Sequence, residues 1–358
     1  MKKILISTGG SGGHVIPAMA FYDHFIDQFE VCLTTDKRGA RFINDKKYKY
    51  KIIDVPNIFS NFLYLPLNLI KFFFSFLKSI IFLKKNKIEI LLSTGGYMTL
   101  PLCLASKILN IKLFLFEPNL VLGRSNKLIL KFSKKIICYN NDLKGLASKY
   151  HEKLYISKPI LRKEIYNIKK NENSKIKETV NILILGGSQG AEFFDHTMQK
   201  LIITLASKFK LKVYQQIQDK KNESKISKIY NDNKIENYIF SFDKDLYSKF
   251  HIFDLAITRS GASTISELAY FKIPFIAVPF PYAKDNHQYF NAKYYLDKNC
   301  CWVFEQKDFE YTRFKNLVSE IFKDENAYSD KKENLNKFSY QNVWNDINEK
   351  LINLINEN

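Results

Sequence analysis

Short apolar runs alternate with longer, helix-length segments along the chain. The runs at residues 2–7 (KKILIS), 112–117 (KLFLFE) and 180–186 (VNILILG) are almost continuously hydrophobic, which is typical of strands buried on both faces of a parallel sheet. A polar, lysine- and asparagine-rich stretch at residues 169–178 interrupts the alternation, which then resumes. The pattern predicts an α/β protein with two doubly wound parallel sheets, and a helical segment from residue 324 onward.

Two glycine-rich turns each follow an apolar run and precede a helical pattern: GGSGGH at residues 9–14 and GGSQGA at residues 186–191. Glycine tolerates positive φ and has no Cβ, so such a turn leaves backbone N–H groups open to an anion. Neither turn has the Gly-Lys-Ser/Thr of a P-loop or the spacing of G-x-G-x-x-G. A dinucleotide oxidoreductase is therefore disfavoured, although Asp36 lies roughly where a ribose-binding acid could stand.

A third turn of this kind begins the motif RSGASTISELA at residues 259–269. It predicts an anion site at a helix N-terminus, to which Ser263 and Thr264 can add hydroxyl donors. Glu267 follows on that helix and can accept two ribose hydroxyls; alternatively, it is a favourable charge on the helix dipole. Further on, Asp285, Asn286, His287 and Gln288 come after another apolar run, where amide and carboxylate groups suit the hydroxyls of a sugar.

The net charge favours an anionic partner, because the 358 residues carry a formal net charge of +19. Nucleic acid, an anionic membrane and phosphorylated substrates are the classes it favours, and compositional drift explains the excess about equally well. Nucleic acid is disfavoured because none of its common recognition motifs occurs in the sequence. The five cysteines form no C-x-x-C pair, and the N-terminal apolar run is too short for a signal peptide, so a cytoplasmic location is expected.

Residues 57–85 (NIFSNFLYLPLNLIKFFFSFLKSIIFLKK) break the strand-helix alternation with a long apolar segment. Phe73, Phe74, Leu77, Ile80 and Ile81 recur at helical spacing, while the lysines and Ser75 share another face. One interpretation is a buried crossover helix. The additional apolar residues, including Phe72, Phe76 and Phe82, instead favour an amphipathic helix that docks on a membrane, with its lysines on anionic headgroups.

The order of motifs GGSGGHVIPAMA, STGGYMTLP, FEPNLVLGRSNK, GGSQGA and RSGASTISELA…IPFIAVPF…DNHQYFNA resembles that of the MurG family, and the resemblance spans nearly the whole chain. These are bacterial inverting N-acetylglucosaminyltransferases of glycosyltransferase family 28 with the GT-B fold. The resemblance implies two Rossmann-like domains that face each other across a cleft. Residues 1–160 would form the acceptor- and membrane-associating domain and residues 161–339 the UDP-GlcNAc domain, with a helix at about 340–358 packing back on the first.

The resemblance also implies a reaction: transfer of GlcNAc from UDP-GlcNAc to the 4-hydroxyl of MurNAc in lipid I, giving lipid II for peptidoglycan synthesis. The partners would be UDP-GlcNAc, undecaprenyl-pyrophosphoryl-MurNAc-pentapeptide, an anionic membrane surface and other cell-wall synthesis proteins, at the cytoplasmic face of the inner membrane. Two alternatives stay open. One is another GT-B glycosyltransferase acting on a lipid acceptor, and the other is a membrane-bound nucleotide-sugar binder without catalytic activity.

The family's substrate-binding positions carry over residue by residue. Those implied for the donor are Ser188 and Arg162 at the phosphates, the backbone near Phe242 and Asp243 at the uracil, Glu267 at the ribose, Gln288 at the sugar, and the helix residues Ala262, Ser263, Thr264, Ile265 and Ser266. Those implied for the acceptor side are Ser11, Gly12, Gly13 and Asn119. The sequence departs from the family in FEPN, where H-E-Q-N is usual, and Arg162 matches only if one residue is inserted.

His14 is the predicted general base, because a neutral imidazole can take the proton of the attacking hydroxyl. Alternatively, it caps the glycine loop or orients a phosphate. The departing UDP can be stabilised by helix N-termini and by Arg and Ser donors. No D-x-D motif occurs where it would hold a divalent ion, so neither a metal site nor a cofactor is expected.

Overall fold

The computed structural model describes residues 1–56, 64–170, 172, 175–187, 191–243, 245–339 and 343–357. These residues form two compact units. One comprises Met1–Tyr166 together with Asn342–Asn358, and the other comprises Asn167–Gln341.

The first unit is a doubly wound parallel sheet. Its elements in chain order are β1 (Lys3–Ser7), α1 (Gly12–Phe25), β2 (Glu30–Thr35), α2 (Lys37–Ala40), β3 (Tyr50–Ile52), α3 (Leu65–Lys85), β4 (Ile90–Ser93), α4 (Leu100–Ile108), β5 (Lys112–Glu117), α5 (Arg124–Ile129), β6 (Lys135–Cys138) and β7 (Leu154–Ile156). The strand order is β3-β2-β1-β4-β5-β6-β7, with every neighbouring pair parallel. The chain therefore runs outward on one side of β1 and returns to continue on the other.

The second unit repeats this plan with six strands. Its elements are β8 (Thr179–Leu185), α6 (Glu192–Ala206), β9 (Lys210–Gln216), α7 (Glu223–Asp232), β10 (Glu236–Phe240), β11 (Leu255–Thr258), α8 (Ala262–Tyr270), β12 (Phe275–Ala277), α9 (His287–Leu296), β13 (Cys301–Val303), α10 (Tyr311–Lys323) and α11 (Glu325–Leu335). The order β10-β9-β8-β11-β12-β13 is again fully parallel. The prediction of two doubly wound parallel sheets is confirmed.

The central strands are the hydrophobic runs that the sequence pattern identifies. Ile4, Leu5 and Ile6 of β1 and Ile182, Leu183 and Ile184 of β8 are fully buried, as expected for strands covered by helices on both faces. The hydrophobic pattern does not predict the short strands β3, β7 and β13, because each has only three residues, most of them partly exposed. Hydrogen bonds to a neighbouring strand, rather than hydrophobicity, define them.

The last helix, α12 (Val343–Glu357), belongs to the first unit. Trp344 stacks on the buried His24 of α1 with ring centroids 3.6 Å apart, and it also contacts the ring of Tyr166. His24 Nδ1 is 3.1 Å from Asn348 Oδ1. Burial lowers the pKa of His24 to about 3, so this ring packs against the tryptophan in its neutral form.

Helix α3 is the crossover between β3 and β4, but it is not a buried helix. Phe72, Phe76, Ile80 and Phe82 pack against the core beside the buried Leu83. The inward side is therefore formed largely by the phenylalanines that seemed surplus to a core-facing stripe, and Ile80 lies inward rather than with Phe73. Residues 57–63 of the predicted segment lie outside the described part of the chain.

The outer side of α3 is apolar and exposed. Its exposed hydrophobic side chains are Leu67, Leu69, Ile70, Phe73, Phe74, Leu77 and Ile81, and Lys71, Lys78, Lys84 and Lys85 are exposed on the same helix. By length and composition this helix could cross a membrane, and only 6% of its most apolar 18-residue window is buried. The structure thus gives a crossover helix with two hydrophobic sides, one packed and one open.

The amino-terminal edge of the second sheet contains a buried charge cluster. Asp254 is fully buried and accepts hydrogen bonds from the backbone N and the side-chain Nδ2 of Asn181 at 2.9 and 3.3 Å. Lys177 lies 3.6 Å from its other oxygen. Burial lowers the pKa of Lys332 to about 8, with the nearby Asp254 opposing the shift. Lys332 is 6% exposed, so its protonated form is less favourable in the folded protein than in water.

This cluster predicts a pH-dependent effect of Lys332→Met. Below pH 8 the lysine is protonated in both the folded and the unfolded state, and its buried charge costs the fold about 3 kcal/mol. The cost disappears as pH rises from about 8 towards 10.5, because the unfolded chain then binds more protons than the folded one. Urea unfolding should show the variant to be more stable than the native protein at pH 7, by an amount that shrinks up to pH 10.

The exposed Lys337→Met variant is the matched control and should show no such trend. An advantage of Lys332→Met that stays constant between pH 7 and pH 10 would contradict the assignment.

Candidate functional site

Two groups of predicted site residues lie where the chain of their sheet reverses its winding direction: residues 11–14 follow β1, and residues 262–267 follow β11. In the first unit β1 and β4 are neighbours, but the chain leaves them towards opposite edges. The loops that follow must diverge, and the crevice between them is the usual ligand site of an open α/β sheet. In the second unit β8 and β11 have the same relation, and the backbone N of Arg259 donates to Leu185 O at 3.0 Å.

In the first unit the two diverging turns contact each other through His14. Its Nδ1 is 2.8 Å from the carbonyl oxygen of Thr94, which follows β4. Because a carbonyl can only accept, Nδ1 carries the proton in the neutral ring and the Nε2 lone pair is available to accept one. The arrangement holds the half-buried imidazole in the tautomer that a general base needs.

The turn beneath His14 requires glycine. Gly95 has φ +93°, and a Cβ there would stand 3.3 Å from His14 Cε1 and 3.4 Å from His14 Nδ1. Positive φ is unfavourable for other residues, and the imidazole ring leaves little room for a side chain. The glycines of the STGGYM motif therefore allow the histidine to lie directly on the neighbouring turn.

The rest of the first glycine-rich turn presents backbone groups at the start of α1. Ser11 precedes the helix in extended conformation without a side-chain capping bond, and Gly12 and Gly13 are its first residues. Gly12 is buried and Gly13 exposed. The hydroxyl of Ser11 and the first N–H groups of a 14-residue helix thus lie at the crevice.

Asp36 does not have the geometry of a ribose-binding acid. Its Oδ1 accepts from the backbone N of Gly10 and of Gly39, both at 2.8 Å, and Arg38 Nε donates to its Oδ2 at 3.0 Å. Although burial raises the pKa of Asp36, these hydrogen bonds lower it below its ordinary value. The carboxylate is occupied in holding the glycine-rich turn, which agrees with the sequence evidence against a dinucleotide oxidoreductase.

Glu117 organises the loop that carries Asn119. It is 3% exposed at the end of β5. It accepts from Asn119 Nδ2 at 2.9 Å, from the backbone N of Gly123 at 2.8 Å and from Asn126 Nδ2 at 3.0 Å. Sequence reasoning missed this residue, although an acid ending an otherwise apolar strand is a signal that could have identified it.

The FEPN departure from the family pattern has a packing explanation. Phe116 is fully buried and makes edge-on contacts with Phe21 and Tyr139 at centroid distances of 5.0 and 5.6 Å. Its position therefore belongs to the core, and the polar side chains Glu117 and Asn119 follow it in the motif.

Arg162 lies half-buried in the first unit, just before a short 3-10 turn. Glu164 of that turn accepts from Lys47 at 2.7 Å, and Lys47 also donates to Asp23 at 2.9 Å. Burial opposes ionisation of Glu164, but the bond from Lys47 lowers its pKa, and the charge of Arg162 adds to this. The contacts place Arg162 beside an ionic network.

In the second unit the turn after β11 leads into α8 without a side-chain cap. Gly261 is the N-cap residue, and Ser263 and Thr264 of the first turn are half-exposed. The first N–H groups and two hydroxyls are thus available to an anion. Ile265 and Ser266 are buried, at 1% and 4% exposed, and Glu267 is 9% exposed.

The DNHQ segment has an unusual backbone before α9. Asp285 and Asn286 have φ values of +54° and +51°, the left-handed region that Asp and Asn tolerate better than most residues. The Oε1 of Gln288 accepts from the backbone N of Phe280 at 3.0 Å. Since that bond uses the carbonyl oxygen, it orients the Nε2 donors of Gln288 for another acceptor.

Arg259 supports the chain that precedes the DNHQ segment. The 5%-exposed guanidinium donates to Val278 O at 3.0 Å, Pro279 O at 3.2 Å and Gln306 Oε1 at 2.6 Å. Burial lowers its pKa to about 10. Its N–H groups are engaged by protein acceptors, so Arg259 is a structural support of the turn.

Two donor-side predictions concern the loops after β8 and β10. Ser188 lies outside the described residues. The carboxylate of Asp243 accepts from the backbone N of Asp245 and from Lys249 Nζ, both at 2.9 Å. Its side chain is therefore bound within its own loop, and the backbone near Phe242 is what this segment can offer a ligand.

The whole chain can be superposed on a glycosyltransferase of known structure. It matches the crystal structure of MurG from Acinetobacter baumannii with a TM-score of 0.75, covering 98% of each chain at 21% identity. The fold is the GT-B fold of two Rossmann-like domains.

Sequence comparison gives the family. Residues 4–138 match the glycosyltransferase family 28 N-terminal domain and residues 181–346 match the family 28 C-terminal domain. A similar protein of Pelagibacter ubique is named UDP-N-acetylglucosamine--N-acetylmuramyl-(pentapeptide) pyrophosphoryl-undecaprenol N-acetylglucosamine transferase. It is 48% identical over all of this chain and 99% of its own length. A Rickettsia felis protein of the same name is 32% identical over 94% of this chain and 95% of its own. The chain belongs to glycosyltransferase family 28, which confirms the resemblance drawn from its motifs.

Proposed function

We propose that this enzyme transfers GlcNAc from UDP-GlcNAc to the 4-hydroxyl of MurNAc in undecaprenyl-pyrophosphoryl-MurNAc-pentapeptide, with inversion at the anomeric carbon. The observation that carries the proposal is the 48% identity, over its full length, to a transferase named for this reaction. The product is lipid II, the precursor of peptidoglycan.

The donor is assigned to the second unit. The open N–H groups at the start of α8, with the hydroxyls of Ser263 and Thr264, suit the diphosphate. Glu267 is placed at the ribose hydroxyls and the Nε2 of Gln288 at the sugar. Negative charge grows on UDP as the glycosidic bond breaks, and preorganised N–H donors stabilise it without having to reorient.

The acceptor and the base are assigned to the first unit. His14 takes the proton of the attacking hydroxyl on Nε2, because its Nδ1–H is held by the Thr94 carbonyl. Ser11 and Gly13 offer polar groups at the same turn, and Asn119 is held for the acceptor by Glu117. The hydroxyl oxygen attacks the anomeric carbon, UDP leaves from the opposite face, and inversion follows.

Acceptor-dependent release of UDP tests the reaction directly. The full-length protein in detergent should release UDP from UDP-GlcNAc when a short-chain lipid I analogue is added, and mass spectrometry should show the acceptor extended by one GlcNAc. Diacylglycerol in place of the analogue is the matched control. Release with diacylglycerol alone would favour another lipid glycosyltransferase, and tight UDP-GlcNAc binding without any turnover would favour a binding protein.

The two principal side chains should affect different kinetic constants. His14→Ala should lower kcat by about a hundredfold or more while donor KM changes little, because a general base acts in the chemical step. Glu267→Ala should raise donor KM by about tenfold or more, because it removes charge-assisted hydrogen bonds to the ribose.

His251→Ala is the control for His14. His251 makes the same kind of Nδ1 contact to a carbonyl, with Ser248 O at 2.9 Å, but it is exposed and outside the motifs. A kcat for His14→Ala within about threefold of the native value would rule out its role as the base.

We further propose that the outer side of α3 docks on the cytoplasmic face of the inner membrane, where the lipid acceptor resides. Seven exposed hydrophobic side chains on one helix form a larger apolar surface than isolated exposed residues do. Four exposed lysines on the same helix can contact anionic headgroups. The protein would then bind peripherally, with α3 lying in the interface.

Vesicle binding tests the docking surface. The native protein should bind vesicles that contain phosphatidylglycerol more tightly than neutral ones, and added salt should weaken the binding. The double variant Phe73→Glu/Ile81→Glu, at positions 55% and 65% exposed, should reduce binding at least about tenfold. Ile156→Glu, at a 49%-exposed position on β7, is the control and should bind normally. Equal binding by the double variant would contradict membrane docking through α3.

A further inference from the structure

Gln216 is the last residue of β9, and it lies between the carboxyl ends of β8 and β10. The β8–β9 ladder ends at the pair Ile184↔Gln215, and the β9–β10 ladder ends at Phe240↔Gln216. Beyond this point the outer chains separate, one into the Gly186–Gly187 turn and the other into the loop that begins at Ser241. Gln216 itself is 7% exposed.

The side-chain amide of Gln216 bonds to both departing chains. Its Oε1 accepts from the backbone N of Gly186 at 3.1 Å, and its Nε2 donates to Ser241 O at 3.3 Å. A backbone N–H can only donate and a carbonyl can only accept, so these partners determine the orientation of the amide. The amide has the donor and acceptor of a peptide group and extends the sheet by one step where the backbone ladder has ended.

Both bonded segments lead to positions that the family resemblance implies for the donor, with the phosphates near the GGSQGA turn and the uracil at the backbone near Phe242 and Asp243. Gly186 begins the GGSQGA turn, and Gly187 follows with φ +82°. Ser241 directly precedes Phe242 and Asp243, whose backbone is assigned to the uracil. The two segments leave different strands, and the amide of Gln216 joins them directly at the carboxyl edge of the sheet.

We propose that Gln216 is a positioning residue. It fixes the spacing between the uracil loop, which begins at Ser241, and the turn at Gly186 and Gly187, which lies beside Arg259 and the diphosphate site at the start of α8. UDP can then engage the uracil loop and the diphosphate site at once. The proposal rests on the proposed function, because it assumes that this edge binds UDP-GlcNAc. Gln216 contacts no part of the ligand in this account. Its effect should therefore be largest for ligands that span both segments and small for ligands that occupy only one.

Gln215 provides a matched control on the neighbouring position of the same strand. It is fully buried, its Oε1 accepts from Tyr230 Oη at 2.7 Å, and its Nε2 donates to Phe194 O at 3.4 Å. It therefore makes the same number of hydrogen bonds as Gln216, but its partners are core groups rather than the two loops. Loss of either amide should cost similar stability, whereas only Gln216 should affect the ligand.

Isothermal titration calorimetry of the full-length protein with UDP and, separately, with uridine tests the proposal. Gln216→Met should raise the Kd for UDP at least about tenfold but the Kd for uridine less than about threefold, because uridine lacks the diphosphate. Gln215→Met should change both less than about threefold, at a comparable loss in thermal midpoint. Gln216→Asn, which keeps the amide but is one methylene shorter, should behave like Gln216→Met and serves if that variant does not fold.

The outcomes distinguish a failure of the positioning role from a failure of the proposed function. A UDP-to-uridine affinity ratio that is unchanged in both Gln216 variants, or equally reduced in Gln215→Met, would overturn the positioning role while leaving the proposed function intact. A native protein that does not bind UDP would overturn the proposed function itself, and the positioning role with it.

Discussion

The constraint on which the rest of this structure depends is the reversal of winding direction in each parallel sheet. All strands of a parallel sheet end at the same edge, and the chain must leave two neighbouring central strands in opposite directions. In the first unit this happens between β1 and β4, and in the second between β8 and β11. Glycine-rich turns at these points allow close approach, and the helices that follow direct their N-termini at the crevice.

In each unit, buried polar residues support the loops at the carboxyl edge of the sheet. Asp36 holds the first glycine-rich turn, Glu117 holds the loop of Asn119, and Arg259 holds the chain before Gln288. Each is almost completely buried, so each needs its hydrogen bonds to offset the loss of water. The ligand-facing groups can be few because these residues limit where the loops can go. Gln216 acts by the same principle in the second unit, through an uncharged amide.

The sequence predicts the framework well, because central parallel strands are continuous apolar runs and the turns between them need glycine. It predicts much less about side-chain direction. Phe72, Phe76 and Ile80 pack inward while Phe73 is exposed, and hydrophobicity alone does not distinguish these neighbours when a helix is apolar on two sides. In the sequence Asp36 lies where a ribose-binding acid could stand, and Arg259 begins a motif that predicts an anion site. In the structure Asp36 accepts from Gly10 as well as from its neighbours Arg38 and Gly39, and Arg259 donates to Val278, Pro279 and Gln306. Only the folded chain reveals that these charges are engaged by the protein.

The strand β3 and the residues around Gln216 illustrate a second limit. A three-residue strand has too few positions for periodicity, and a glutamine at the end of a strand looks like any polar residue that precedes a loop. What defines both is hydrogen bonding to a neighbouring strand, which depends on the register of the sheet. Family resemblance supplies the candidate ligand-binding residues, and the structure adds the residues that hold their loops.

The central claim is that the second unit binds the sugar nucleotide through the turn before α8. A crystal structure of the full-length protein with UDP-GlcNAc tests it most directly. The account predicts the diphosphate against the N–H groups of residues 262–264 and the ribose hydroxyls on Glu267. A diphosphate on the glycine-rich turn of the first unit at residues 9–14, with Glu267 away from the ribose, would contradict it.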